Sequence, residues 1–283
     1  MPLLFESSHS LGPAELHFQE FAPGAVLAKV VRCYWTFARS SGNGIGLRHR
    51  VLPDGCTDLV FDFGGRPRAM VVGPMTAVLV SEFQSFTTLA VSFFPGGASR
   101  ILGCGLDQLR DRIVPLEEFW GGSTERILER LQHAGSCAER RVVLDQEFVG
   151  RGAVAVETDA QVDRVLKHLY STQGQLTVAE LAERAALCDR QLRRRMLTET
   201  GYTPKQLIRI LRFQFSVLDL LRRPRGDGAG VAVDGGYYDQ SHFVREFRAM
   251  SGLAPAAFVG AARSGECPIF AIPSRGTLAY DRR

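Results

Sequence analysis

Leu192, Arg194, Met196, Gly201 and Pro204 each recur 51 residues later, as Phe243, Arg245, Phe247, Gly252 and Pro255. No other feature limits the possible folds as sharply. A pattern of apolar, Arg, apolar and then G-x-x-P, written twice, describes the same helix with the same stop. Glycine just past a helix closes it, and proline at the next first position opens another. Upstream the offset becomes 50: Leu181-Ala182 matches Val231-Ala232, and Ala186-Leu187 matches Gly236-Tyr237. Tyr238 is therefore one extra residue in the second turn. Two helix-turn-helix units joined by a long helix are expected.

The flanking pattern agrees. Val162, Val165, Leu166 and Leu169 fall on one face of a helix ended by Gly174. Val178, Leu181, Ala182 and Ala185 form a second, and Cys188 or Asp189 starts a third with Leu192 and Met196 inward. A long fourth helix runs from about Pro204 to Leu221, then Arg222–Gly230 breaks the pattern. Asp239 is a good N-cap for the helix that buries Phe243, Phe247 and Met250. Its outer side carries Ser241, Val244, Arg245 and Arg248. A short helix with a small polar and basic outer face, entered by a tight turn, suits the major groove of DNA. Over residues 159–263 Lys and Arg outnumber Asp and Glu by 16 to 11, which is the direction expected of a surface that meets phosphate.

At this point the chain resembles a known family. Leu181-Ala182, Leu192-x-Arg194 with Met196, Gly201-x-x-Pro204, Gly236-Tyr237, Phe243-x-Arg245-x-Phe247 and Gly252-x-x-Pro255 make residues 159–263 similar to the tandem helix-turn-helix domain of AraC/XylS-type bacterial transcription regulators. The resemblance implies a sequence-specific DNA-binding regulator whose second helices enter two successive major-groove segments. By position, the DNA-binding candidates are Arg190, Arg193 and Arg194 in the first unit, and Gln240, Ser241, Val244 and Arg245 in the second. A solvated helix face is the plain alternative for such a basic run, and Arg245 could instead pair with Asp239 or Glu246. Arg195 is the poorest base reader by register. Lys167, Lys205, Arg209, Arg212 and Arg248 are phosphate candidates on charge alone. His242 is a turn residue or a phosphate neighbour. The chain departs from the family pattern where Cys188 replaces the usual Ser cap and Gly235 replaces an apolar residue. The glycine-rich stretch near Gly228–Gly235 predicts a second support helix that is short, frayed or dependent on DNA.

The first 122 residues read as short strands, giving a β-rich barrel or sandwich. Val26–Phe37, Arg48–Leu52, Asp58–Phe63, Ala69–Val72, Ala77–Val80 and Leu89–Phe94 are the apolar runs, punctuated by Pro53-Asp54-Gly55, Gly64-Gly65, Gly73-Pro74 and Pro95-Gly96-Gly97. The segments CYW (33–35), LPDGCTDLVFDFGG (52–65), VVGP (71–74) and FFPGG (93–97) resemble an N-terminal domain of unknown function found in a subset of the same regulators. That places a β-rich regulatory domain (1–122) and a helical connector with linker (123–158) in front of the helix-turn-helix domain (159–263) and a tail (264–283). The connector helices could pack on their own domain or on a second subunit.

Tyr34, Trp35 and the Phe-rich strands could line a ligand pocket, although core packing is the commoner fate of strand aromatics. Asp54, Cys56 and Asp58, with His49 nearby in sequence, offer too few convergent ligands to imply a metal. The six cysteines never form C-x-x-C, which argues against zinc and against a disulfide framework. No signal-peptide pattern or membrane-length apolar run is present, so a cytoplasmic protein is expected. No triad, phosphate loop or metal cluster points to an enzyme or a cofactor. The expected partner is double-stranded DNA, with a small-molecule effector, RNA polymerase and a homodimer as further possibilities. A regulator without a ligand and an enzyme built on the β-rich domain are the rival readings.

Overall fold

The computed structural model describes residues 7–10, 16–39, 47–83, 87–153, 159–223, 228–264 and 269–270. The β-rich part comprises β1 (Ser7–Ser10), β2 (Leu16–Phe21), β3 (Val31–Arg39), β4 (Leu47–Val51), β5 (Thr57–Asp62), β6 (Arg68–Val72), β7 (Leu79–Phe83), β8 (Thr87–Phe93) and β9 (Ile113–Pro115). Helix α1 (Ala98–Leu102) and a 3-10 turn at Leu106–Leu109 precede β9, and α2 (Glu117–Trp120), α3 (Ser123–His133) and α4 (Cys137–Gly150) follow it. The rest is helical: α5 (Ala160–Ser171), α6 (Val178–Ala185), α7 (Asp189–Thr200), α8 (Pro204–Arg222), α9 (Gly228–Asp234), α10 (Gln240–Ser251) and α11 (Pro255–Ser264), with β10 (Ile269–Phe270) beyond.

Among the described residues, seven strands form an antiparallel sheet in the order β1-β2-β3-β8-β5-β6-β9, and β10-β4-β7 form a second sheet. Among the described residues the β-rich part is thus two sheets, with no strand pairing that closes the first on itself. β8 lies between β3 and β5 and is buried along nearly its whole length, which is why it reads as a continuous apolar run. Side chains alternate across a strand. Leu59, Val91 and Tyr34 align on one face, and Asp58, Ser92 and Cys33 align on the other. The first face takes the apolar stripes of α3 and α4, burying Ile127, Leu128, Leu131, Leu144 and Phe148. Tyr34 donates its hydroxyl to Asp145 Oδ1 at 2.5 Å. The connector helices therefore spend their apolar faces on their own chain. Tyr34 is core, and Trp35 meets Phe18 with ring centroids 6.0 Å apart.

Two expectations shift. The run Val26–Phe37 starts its strand only at Val31, because Val30 and Val31 both donate to the Leu27 carbonyl in a turn. The linker is anchored at its start: Arg151 lies 3.7 Å from the Trp120 ring centroid and Ala153 is buried. Residues 154–158 of that linker, and the tail beyond Phe270, lie outside the described residues. In the tail, Ile269 and Phe270 pair in parallel with Arg50 and Val51 of β4.

The helical part closes against the other end of the β-rich part. Leu52 and Phe94 belong to the core that holds Leu169, Leu207, Leu211 and Phe213. Gln214, fully buried on α8, donates to the Pro53 carbonyl at 2.7 Å, and Tyr202 donates to the Met75 carbonyl at 3.1 Å. Among the described residues no helix is long and apolar enough to cross a membrane.

Candidate nucleic-acid interface

The repeated pattern is a repeated local geometry. Gly201 and Gly252 cap α7 and α10 in the left-handed region, at φ 74° and 73°, and donate to the Leu197 and Arg248 carbonyls. At Gly201 a Cβ would also sit 2.5 Å from Pro74, so glycine is required there twice over. Thr177 and Thr203 start α6 and α8 with reciprocal capping boxes, and Pro204 fills the first position of α8. Asp239 accepts from His242 N–H at 2.6 Å to start α10. Cys188 lacks an oxygen for this task. Its sulfur, a weaker acceptor, faces the Gln191 N–H in its place, and its own N–H donates to Gln191 Oε1 at 3.3 Å.

Inward, α7 buries Leu192, Met196 and Thr200, and α10 buries Phe243, Phe247 and Met250. Phe247 sits edge-on to Phe213, Phe243 and Phe258, with centroids 5.1, 5.5 and 5.2 Å away. Both helices pack on α8. Outward, Arg190, Arg193 and Arg194 on α7 are exposed, as are Gln240, Ser241 and Arg245 on α10, while Val244 is half-buried between them. None of these four arginines has an ion pair among the described residues. The neighbouring charges are already matched. Arg195 pairs with Asp159 at 2.6 Å and Arg209 with Glu246 at 2.5 Å. Asp239 is occupied as a cap, so Arg245 pairs with neither acid that its sequence offered.

The phosphate candidates separate in the same way. Lys167 pairs with Asp163 at 3.2 Å, and Arg209 is held by Glu246. Arg212 turns inward, donating to the Gly174 carbonyl at 3.4 Å and lying 5.5 Å from the Tyr237 ring centroid. Charge alone gave no sign of that direction. His242 stands in the first turn of α10 and not in the turn before it: its Nδ1 accepts from Tyr238 N–H at 3.3 Å, and its Nε2 lies 3.7 Å from Glu246. Tyr238, the extra residue of the second turn, is 92% exposed, and Val233 is 76% exposed. Both went unmarked as contact candidates, although the one-residue insertion was a visible signal for Tyr238.

The second support helix is short, seven residues in α9 against eight in α6. Gly235 lies just beyond it, where a Cβ would stand 2.8 Å from both the Val231 carbonyl oxygen and the Tyr237 ring. An apolar side chain has no room there. Gly230, inside α9, costs about 1 kcal/mol relative to alanine. Backbone amides of α9 are therefore expected to exchange hydrogen faster than those of α6 in the DNA-free protein; equal protection would count against this account.

Behind the interface, Arg32 pairs with Asp54 at 2.8 Å and Ser92 donates to Asp58. The register irregularity between Val31 and Cys33 turns Arg32 toward this cluster. Burial pushes the Cys33 thiol up to about 12 and the Cys56 thiol well above its usual value, so neither is a ready thiolate. Among the described residues no group of three or more His, Cys, Asp or Glu side chains could hold a metal ion. The side chain of His49 lies outside the described residues.

Comparison with known proteins adds three findings. The family pattern described as "Helix-turn-helix domain" matches residues 181–261, and one described as "Domain of unknown function (DUF6597)" matches residues 19–115. The chain is 28% identical over 156 residues to the HTH-type transcriptional activator RhaS of Escherichia fergusonii, covering 53% of this chain and 52% of that protein. It thus spans about half the length of that curated relative. Among solved structures, ToxT from Vibrio cholerae O395 is 12% identical with a TM-score of 0.39, covering 77% of this chain and 91% of that one. Unsaturated fatty acid bound wild-type ToxT from strain SCE256 is 12% identical with a TM-score of 0.38, covering 92% and 97%. Likeness at that level carries no argument about this chain.

Proposed function

We propose, for a chain that belongs to the AraC/XylS-type bacterial transcription regulators and carries an N-terminal domain of unknown function, that it binds double-stranded DNA sequence-specifically through α7 and α10 and regulates transcription in response to a signal received by its β-rich part. The observation that carries this reading is the pair of glycine-closed helices whose outward arginines have no ion pair among the described residues. Arg190, Arg193, Arg194 and Arg245 are free to make bidentate contacts to guanine, and Gln240 to adenine. Ser241 donates or accepts at either base type, and Val244 suits a thymine methyl group. Lys205 and Arg248 are exposed and serve the phosphates. The domains act as divided at 122, 158 and 263 in this reading, and the protein works in the cytoplasm, where the DNA is.

The signal route follows from the seam between the two parts. The Pro53–Gly55 turn is fastened to α8 by Gln214, and the Met75 carbonyl to the start of α8 by Tyr202. An effector that binds the β-rich part more tightly in one seam geometry than another biases how α8 carries the two reading helices. RNA polymerase and a second copy of the chain are the further partners; Val142 and Val149, exposed on α4, are the apolar residues left over for the latter.

Footprinting on the gene's own upstream DNA, with and without a metabolite panel, tests the reading. Protection of two adjacent segments that changes with one metabolite is expected; no protection above random DNA would end it. Raising salt from about 50 to about 200 mM is expected to weaken binding by roughly 10³- to 10⁵-fold if 6–10 phosphates are contacted. A flat salt dependence in an equilibrium titration would overturn the DNA assignment.

A further inference from the structure

We propose that Gln175 and Arg212 fix the placement of α10 relative to α7, and so set the spacing between the two DNA segments that the chain reads; this rests on the DNA-reading function proposed above. The turn between α5 and α6 belongs to the first unit, and the turn between α9 and α10 belongs to the second. The two turns touch. Gln175 Nε2 donates to the Asp234 carbonyl at 2.7 Å, bridging the units directly at the end of α9. A Cβ on Gly236 would lie 3.6 Å from Gln175 Cγ, so the bridge packs as well as bonds.

Arg212 makes the second bridge, from the middle of α8. Its Nη2 donates to the Gly174 carbonyl at 3.4 Å in the first unit, and its guanidinium lies 5.5 Å from the centroid of Tyr237 in the second. Tyr237 is held in turn, its hydroxyl accepting from Ser216 on α8 at 3.2 Å. Gly174, at φ +72°, presses its backbone on α8: a Cβ there would stand 2.7 Å from the Ile208 carbonyl oxygen. One guanidinium and one amide thus tie both units to a single axis, two residues before α10 begins its cap.

Neither residue belongs to the apolar core of a unit, and Gln175 is exposed. Their positions serve the relation between the units. That relation matters on DNA, where one base pair shifts a site by about 3.4 Å and about 35° around the axis. Hydrogen bonds tolerate only a few tenths of an ångström. A braced pair of helices therefore loses one reader on a mis-spaced site, whereas an unbraced pair can roll to follow it. Gln175 and Arg212 are positioning residues, since neither is placed against a base.

The test uses the full chain and duplexes built from its footprinted site, with zero, one or two base pairs inserted or removed between the protected segments. Binding is read by fluorescence anisotropy at fixed salt. The wild type is expected to lose at least about tenfold per step, because a second reader that cannot engage forfeits its share of the avidity. Gln175→Ala and Gln175→Ala/Arg212→Met are expected to flatten the profile to within about threefold, with unchanged affinity for a duplex carrying one segment. Gln175→Ala removes only an exposed side chain, so it remains informative if the double variant folds poorly. A profile as steep as the wild type's in folded Gln175→Ala, a loss that is uniform at every spacing, or a wild type indifferent to spacing would each overturn the proposal. A wild type that binds no duplex above random competitor instead removes the DNA reading, and this inference with it.

Discussion

Arg194→Ala combined with Arg245→Ala is expected to weaken binding to the specific site by about 2–6 kcal/mol, a loss of roughly 30-fold or more. The two positions are equivalents in the repeat, 51 residues apart, and both side chains are exposed. In the proposed function they face separate segments, so their losses are expected to add. Neither has an ion pair among the described residues, so removing them is expected to change folding stability by no more than about 0.5 kcal/mol. Arg195→Ala and Arg209→Ala are the contrast. Those changes strip Asp159 and Glu246 of partners at 2.6 and 2.5 Å, and they act on the packing of α5 and α10. Titrations on specific and random duplexes at matched salt separate the outcomes. A loss confined to the specific duplex supports base reading. An equal loss on both moves the two arginines to the phosphates, and no loss takes them out of the interface.

The two repeated helices were legible because everything that defines them is local. Caps, the apolar stripe and the G-x-x-P stop lie within a few residues of one another, and writing them twice made their register unambiguous. Even the one-residue difference at Tyr238 was visible. What escaped was set by distance along the chain. Arg212 reads as a cation free for phosphate until Gly174, 38 residues earlier, and Tyr237 are seen to hold it. Gln214 looks like a solvent-side polar residue of α8, yet it is buried because its partner is Pro53, 161 residues away. In the β-rich part, the sequence pattern shows no sign of β1, β2 and β9, since short strands with mixed polarity carry little periodic signal. The strands that were found did not say whether they close into a barrel, because closure depends on which edges pair.

Arg32→Ala is expected to destabilise the protein by about 3–5 kcal/mol, since it leaves Asp54 as an uncompensated charge in a largely dry site. Both partners of that pair keep only 12% and 13% side-chain exposure. Asp58 sits in the same cluster, and its carboxyl is pushed up to about 7 by burial first and by Asp54 second; the hydrogen bond from Ser92 and the charge of Arg32 only partly offset this. The sign of the pH effect follows. A carboxyl raised in the folded state keeps its proton there while the unfolded chain releases it. Stability is therefore highest below the unfolded value near 4 and falls as pH rises through about 7. Urea midpoints are expected to drop between about pH 5 and pH 8 in the wild type, and Asp58→Asn is expected to flatten that drop. Removing Arg32 should steepen it, because the charged form of Asp58 then lacks its cation. A cost below about 1 kcal/mol for Arg32→Ala, or midpoints that ignore pH, would mean the cluster is wetter than its burial implies. The stakes extend past stability, because Asp54 shapes the turn whose Pro53 carbonyl holds Gln214 on α8. Loosening the ion pair frees that turn from the β-rich side, and α8, which joins the two proposed reading helices, loses a contact with that side.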